Sequence, residues 1–407
     1  PGFIDPHVHI YLPFMGAFAK DTYETASRAA LVGGTTTLIE MCCPARDDDP
    51  LEAYQLWASK GECSACDYTF HMGVSRYDRS VDEALRQIVN QGIASLKVFL
   101  AYKGAFGVTD EELFGILSLA KELGLIVTAH CENETLVAEL QQRLLAEGKT
   151  GPQWHEPSRP RSVEAEGVHH LMTFAELTGA HVYCVHTSCQ AALKRVQAAR
   201  LRGVQAWVET VIPYLVLDKS YAELDQFEGA KYVMSPPLRD VREQPVLWNA
   251  LRSRLISTVA TDHAPFDFAG QKEMGRDDFT LIPNGIPSIE NRVQLLYTYG
   301  PAAGRLDLNT FVDAASTQAA RLFGLYPRKG TIAVGSDADV VVWDPDFRGT
   351  ITQAEQEMNV DYRACEGWPI EGRADLTTVR GQVQVRDGKF CGETGSGQFL
   401  AREPTHG

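Results

Sequence analysis

Apolar and polar positions along the 407-residue chain alternate in a steady rhythm up to about residue 265. Short β-branched or apolar runs give way to stretches of helical period. Eight runs predict strands: "GFIDPHVHI" (2–10), "TTTLIEM" (35–41), "YTFHMGV" (68–74), "SLKVFLA" (95–101), "LIVTAHC" (125–131), "HVYCVHT" (181–187), "VQAWVET" (204–210) and "STVATDHA" (257–264). Most are continuously apolar, as expected of parallel strands covered on both faces. The stretches between them read as helices. Over 108–124, Thr109 and Glu112 form a capping box and Gly124 a stop. Residues 21–34 open on an acidic cap and end at a glycine pair, and 188–203 carry basic residues late, where the helix dipole favours them.

Eight strands alternating with helices predict an α/β fold of the (β/α)8 barrel type. A doubly wound open sheet is the competitor, but no GxGxxG follows the first strand. Beyond the barrel the texture changes. Residues 305–325 read as a helical link. "KGTIAVGSDADVVVWD" (329–344) and "LTTVRGQVQVRDGKFCG" (376–392) read as short strands between Gly and Asp turns. The division expected is 1–325 for the barrel and 326–407 for a small β-domain and tail.

Composition narrows the function. The chain has 38 basic and 53 acidic residues and a net charge of −15, which argues against a nucleic-acid groove. No apolar run is long enough to span a bilayer and no signal peptide is evident, so a cytoplasmic, non-membrane protein is expected. Nine cysteines, an odd number, read as reduced thiols. Cys63 and Cys66 make a lone CxxC, weak evidence for metal, and the Asn133-Glu134-Thr135 sequon is discounted without signs of secretion.

In such a barrel, functional groups gather at the C-terminal ends of the strands. Strand one offers His7 and His9, two apart and so on one face; strand four Lys97; strand five His130; strand six His186; strand eight Asp262. A single histidine on an apolar strand is an ordinary core residue, and His71 is read that way. Ligand-type residues at the ends of four strands together point to a metal centre. Lys97 lies between Leu96 and Val98, where a charge is costly unless paired or chemically altered. Both readings stay open on the residues alone.

The motifs "PGFIDPHVH", "SLKVFLAYKG", "TAHCEN", "VHTS", "KYVMSPPLR", "TDHAPF", "IPNGIPSIENR" and "GLYPRKGTIAVGSDADVVVWD" together resemble the hydantoinase/dihydropyrimidinase family of the amidohydrolase superfamily, closest to the bacterial D-hydantoinases. The resemblance runs over essentially the whole chain and implies a (β/α)8 barrel beside a β-sandwich, of which 326–407 would be the C-terminal part, lacking the usual N-terminal strands. It implies two divalent metal ions, zinc above all, with manganese or another metal as alternatives. His7, His9 and Asp262 would hold one, His130 and His186 the other, and Lys97, carboxylated to a carbamate, would bridge them. A water activated by both ions would attack a ring carbonyl of a dihydropyrimidine or 5-substituted hydantoin and yield an N-carbamoyl amino acid. Asp262 would act as general base and Tyr102 would stabilise the oxyanion. Ser235 and Asn284 would hold the ring through backbone groups, and Leu12, Phe99 and Phe106 would cover its substituent. The partner expected is thus a small cyclic amide or imide; a homotetramer follows by analogy.

The segments 41–49 and 209–215, the latter with Val211 and Ile212, depart from the family pattern at positions expected near the pocket. Tyr11 stands where dihydroorotases carry an arginine and allantoinases an asparagine. A non-catalytic scaffold relative is the other alternative, but such relatives lose metal ligands, and here all six are present.

Overall fold

The computed structural model describes residues 1–405. Eight parallel strands stand in sequential order: β1 (Phe3–Val8), β2 (Thr35–Cys42), β3 (Asp67–Gly73), β4 (Ser95–Lys103), β5 (Ile126–His130), β6 (His181–Cys184), β7 (Ala206–Val211) and β8 (Thr258–Ala260). Nearly every strand residue is buried, the consequence of helices covering one face and the barrel axis the other. The seam between β8 and β1 closes through a Val8–His263 bridge, with His9 N donating to His263 O at 2.8 Å and Asp262 N to His7 O at 3.0 Å.

The helices follow their end signals closely. Asp110–Leu123 has the Thr109/Glu112 capping box and ends on Gly124 at φ 68°, a left-handed turn that glycine makes without strain. Gln190–Leu201 carries Arg200 in its last turn. Tyr23–Val32 ends at Gly33 as read, but its cap is Thr22 in a capping box with Thr25. Asp21 instead takes a hydrogen bond from the Thr25 hydroxyl and pairs with His263. The link after the barrel is helical over Leu308–Val312 and Gln318–Leu322, with one π turn, Asp313–Thr317, between them.

Strand lengths differ most at the upper rim. The eighth strand is regular for only three residues, the sixth stops at Cys184 and the first at Val8. The cause is local: His186 and Asp262 have positive φ, 35° and 52°, and cannot continue a ladder. The expected sandwich is present as one four-stranded antiparallel sheet, β9 (Val340–Thr350), β10 (Pro369–Val379), β11 (Gln382–Arg386) and β12 (Lys389–Phe390). The strand read from residue 329 begins only at Val340. Before it, Lys329 is fully buried and its ammonium reaches Asp67 at 2.6 Å, Asp339 at 2.7 Å and Asp337 at 3.1 Å. From there the tail returns to the barrel floor. Leu400 N donates to Tyr68 O, and the buried Arg402 guanidinium reaches Phe70 O, Thr69 Oγ1, Ser95 Oγ and Phe323 O.

Removing one member of a buried ion pair leaves the other charge uncompensated. Lys329→Met is therefore expected to cost about 3 kcal/mol, read as a lower urea midpoint; an unchanged midpoint would show that the Arg380 guanidinium, which also pairs with Asp67, satisfies that carboxylate alone.

Candidate metal centre at the barrel mouth

The rim where three strands stop early is where the ligand-type side chains meet. His7 Nε2 lies 3.3 Å from His9 Nε2, and the Asp262 carboxylate lies 3.1 Å from the first and 3.3 Å from the second. These three are buried and form a possible metal site; among the described residues no other group of three His, Cys, Asp or Glu ligand atoms comes as close together. Beside them His130 Nδ1 lies 2.9 Å from His186 Nε2, and the His7 and His186 rings are 5.5 Å apart. Lys97 lines the same hollow. It is fully buried, its Nζ has no hydrogen-bond partner, and the Phe99 ring lies 4.8 Å away.

Electrostatics favour the forms that bind cations. Burial, aided by the nearby Lys97 charge, holds His7 well below its ordinary pKa, and burial lowers His9 too, which keeps both imidazoles neutral. Burial alone would raise Asp262, but His7 and His9 outweigh it and the carboxyl lies below the usual range. Burial also lowers Lys97, so its amine is pushed towards the neutral, nucleophilic form.

The other expected residues surround this centre. Tyr102 has φ 63°, and its amide donates to the Glu134 carboxylate. Its ring stands 5.3 Å from that of His130, and Asn284 Nδ2 lies 3.5 Å from its hydroxyl. The Ser235 hydroxyl lies 3.2 Å from His155 Nε2. Leu12, Phe99 and Phe106 line the hollow, joined by Phe14, which stacks on Phe106 at 6.0 Å. Three of the expected site positions, Tyr102, His186 and Asp262, carry positive φ, a strained backbone of the kind that concentrates at working sites. Val211 and Ile212 do not line the hollow. Both are fully buried, and Ile212 faces a separate cleft with Ile286, Pro287 and Cys365. His71 is a core histidine, bonded to Ser95 Oγ at 2.7 Å and to Pro6 O at 3.0 Å.

Sequence reasoning did not single out the groups that orient the ligands. Glu209 accepts from His7 Nδ1 at 2.7 Å, from the His186 amide at 2.9 Å and from the Tyr183 hydroxyl at 2.8 Å. Burial raises its pKa to about 8. Glu132 lies 2.8 Å from His130 Nε2 and 2.6 Å from the Arg159 guanidinium. Burial works against its charge, but Arg159 and His130 prevail and hold it at about 2. A carboxylate inside the apolar run "WVETV" was a usable signal for Glu209, by the same logic as Lys97. A larger hollow of about 410 Å³ lies at the opposite end of the barrel, near Arg200, Arg254 and Gln318, but the ligand-type cluster is not there.

Comparison with known proteins agrees with this geometry. The amidohydrolase family pattern matches residues 1–370. A D-hydantoinase of Geobacillus stearothermophilus is 45% identical over 404 residues, 99% of this chain and 86% of that protein. A dihydropyrimidinase of Dictyostelium discoideum is 39% identical, over 99% of this chain and 81% of that one. The solved D-hydantoinase (dihydropyrimidinase) from Thermus sp. superposes with a TM-score of 0.98 at 63% identity, covering 100% of this chain and 89% of its own. With sequence, fold and rim chemistry in accord, the chain belongs to the amidohydrolase family, in its hydantoinase and dihydropyrimidinase branch.

Proposed function

We propose that the protein is a metal-dependent cyclic amidohydrolase that opens dihydropyrimidines or 5-substituted hydantoins to N-carbamoyl amino acids. The observation that carries this reading is the convergence of His7, His9 and Asp262 with His130, His186 and an unpartnered Lys97 at one barrel mouth. The donors suit divalent ions: neutral imidazoles and a carboxylate whose ligand atoms converge, beside a buried Lys97 Nζ without a hydrogen-bond partner. In this reading His7, His9 and Asp262 hold one ion and His130 and His186 a second, with zinc the first choice and manganese the next. Lys97, carboxylated on Nζ, would serve both, and the modification would turn a costly buried cation into an anion. When bound, the ions supply Lewis acidity and a water whose pKa lies near neutrality.

The rest is work for the chain's own side chains. Asp262 takes the proton of the attacking water and returns it to the leaving ring nitrogen. Tyr102 donates its hydroxyl to the ring carbonyl oxygen as negative charge grows there. Glu134, bonded to the Tyr102 amide, steadies that hydroxyl. Glu209 and Glu132 fix the orientation of His7 and His130. Ser235 and Asn284 hold the ring through backbone groups, and Leu12, Phe99 and Phe106 exclude water from its substituent side. A dihydroorotase is disfavoured, because Tyr11 packs on Trp57 at 5.1 Å and under the Lys60 ammonium at 3.9 Å and offers no cation to a substrate carboxylate. The setting we propose is cytoplasmic, supported by nine free cysteines, and homotetrameric by analogy.

The decisive experiment offers dihydrouracil, dihydrothymine, hydantoin, 5-phenylhydantoin, allantoin and dihydroorotate to zinc-loaded protein. Ring opening of some of the first four, and of neither of the last two, is expected; less than one ion per chain with no ring opened would overturn the reading. Lys97→Ala should lose two-ion binding and lower kcat/KM by more than roughly a hundredfold, measured by metal analysis and steady-state kinetics. Full activity in that variant would reject the bridge. Glu209→Gln should weaken metal affinity by roughly 10–100-fold, measured by chelator competition.

A further inference from the structure

Lys272 is a fully buried lysine that no step above uses. It sits in the short 3-10 turn Lys272–Gly275, outside the rim. Its ammonium donates to two backbone carbonyls, Val233 O at 3.0 Å and Gly285 O at 2.7 Å. The same two segments are tied directly by Gly285 N donating to Val233 O at 2.9 Å. Val233 is two residues before Ser235, and Gly285 follows Asn284.

Neighbouring carbonyls are likewise engaged. Met234 O is 2.8 Å from His155 Nε2, and Pro236 O takes the Tyr214 hydroxyl at 2.6 Å. The Ser235 carbonyl between them receives no backbone donor among the described residues, and Ser235, Asn284 and Gly285 line the hollow. On its far side Gly285, at φ 153°, lies so close to Ala264 that a Cβ would sit 2.2 Å from Ala264 O. Ala264 is two residues from Asp262. One lysine thus bolts the Ser235 turn to the Asn284 turn, and the Asn284 turn is seated against the segment that carries the general base.

We infer that Lys272 is a positioning residue for ring recognition: it sets the distance between the Ser235 and Asn284 backbone groups that grip the cyclic amide. The inference rests on the ring-opening reading above and deepens it. An apolar side chain of equal length would fill the space but strip Gly285 O of its lysine donor and leave Val233 O with the Gly285 amide alone, and the turns would drift apart to find water. A lysine suits the task because its long stem spans packed apolar surface and its head can serve two acceptors at once. Burial pushes its pKa well down, and even a neutral amine keeps two N–H donors, enough for both carbonyls.

The test is Lys272→Met in the zinc-loaded full chain. KM for dihydrouracil should rise roughly tenfold while kcat changes less than roughly threefold, the pattern of lost ground-state grip rather than lost chemistry. Bound zinc should be unchanged, and the Gly285 amide should exchange its hydrogen at least roughly tenfold faster. An unchanged KM, or a fall confined to kcat, overturns the proposal. Lys272→Gln, whose amide is too short to reach both carbonyls, should shift KM and Gly285 exchange in the same direction and serves if the methionine variant does not fold. Fast exchange of Gly285 in the unsubstituted protein also overturns it. If the unsubstituted protein opens no ring, the functional reading fails, and the exchange measurement still judges the clamp.

Discussion

Closure of the barrel and assembly of the metal centre depend on the same backbone hydrogen bonds. Asp262 N to His7 O and His9 N to His263 O join the last strand to the first, and the side chains of that seam are three of the ligand-type residues. Their spacing is therefore a property of the closed cylinder rather than of any local motif. His263 extends the seam outward. Its Nε2 pairs with Asp21 at 2.8 Å and its Nδ1 accepts from Ser288 N, while Asp21 also takes the Asn359 amide. The start of a helix, the loop after β8 and the segment leading to β10 are all fastened to one histidine beside Asp262.

Charge burial explains the rest of the interior. Asp5 lies near Arg292 at 3.7 Å, Glu164 pairs with Arg239 at 2.8 Å and Glu132 with Arg159 at 2.6 Å. Each of these arrangements offsets a desolvation cost that an isolated ion could not meet. The three buried lysines differ in what they find: Lys329 has three carboxylates and Lys272 two carbonyls, whereas Lys97 has no hydrogen bond, only the face of Phe99 and the more distant charges of Asp262 and Glu209. Burial pushes that amine towards its neutral form.

Much of this was legible in the sequence, for definite reasons. Parallel barrel strands announce themselves as apolar runs, and His7, Lys97, His130 and Asp262 stand out because each interrupts such a run. Strand ends were overestimated at β6 and β8 because the pattern stays strand-like while the backbone turns; positive φ at His186 and Asp262 has no composition signature outside glycine. Glu209 and Glu132 were passed over for another reason. Their meaning lies in a partner, and for Glu209 that partner, His7, is 202 residues away. Arg159 lies in the polar stretch "EPSRPR", where nothing local marks it as the partner of Glu132. Residues 329–339 read as strand because valine and isoleucine alternate with small residues there, whereas the ion cluster around Lys329 holds them as turns.

Arg402 gives the architecture a direction in time. Its guanidinium closes the floor beneath β3 and β4 by bonding Phe70 O and Ser95 Oγ, yet it follows all eight barrel strands in the chain. A ribosome adding about 5–20 residues per second leaves those strands unsealed from below for on the order of tens of seconds after they emerge. During that interval the nascent barrel shows open carbonyls and apolar edges to the cell. The floor is sealed only once residue 402 has been made, so the vulnerable period of the barrel is set by translation as well as by the folding barrier.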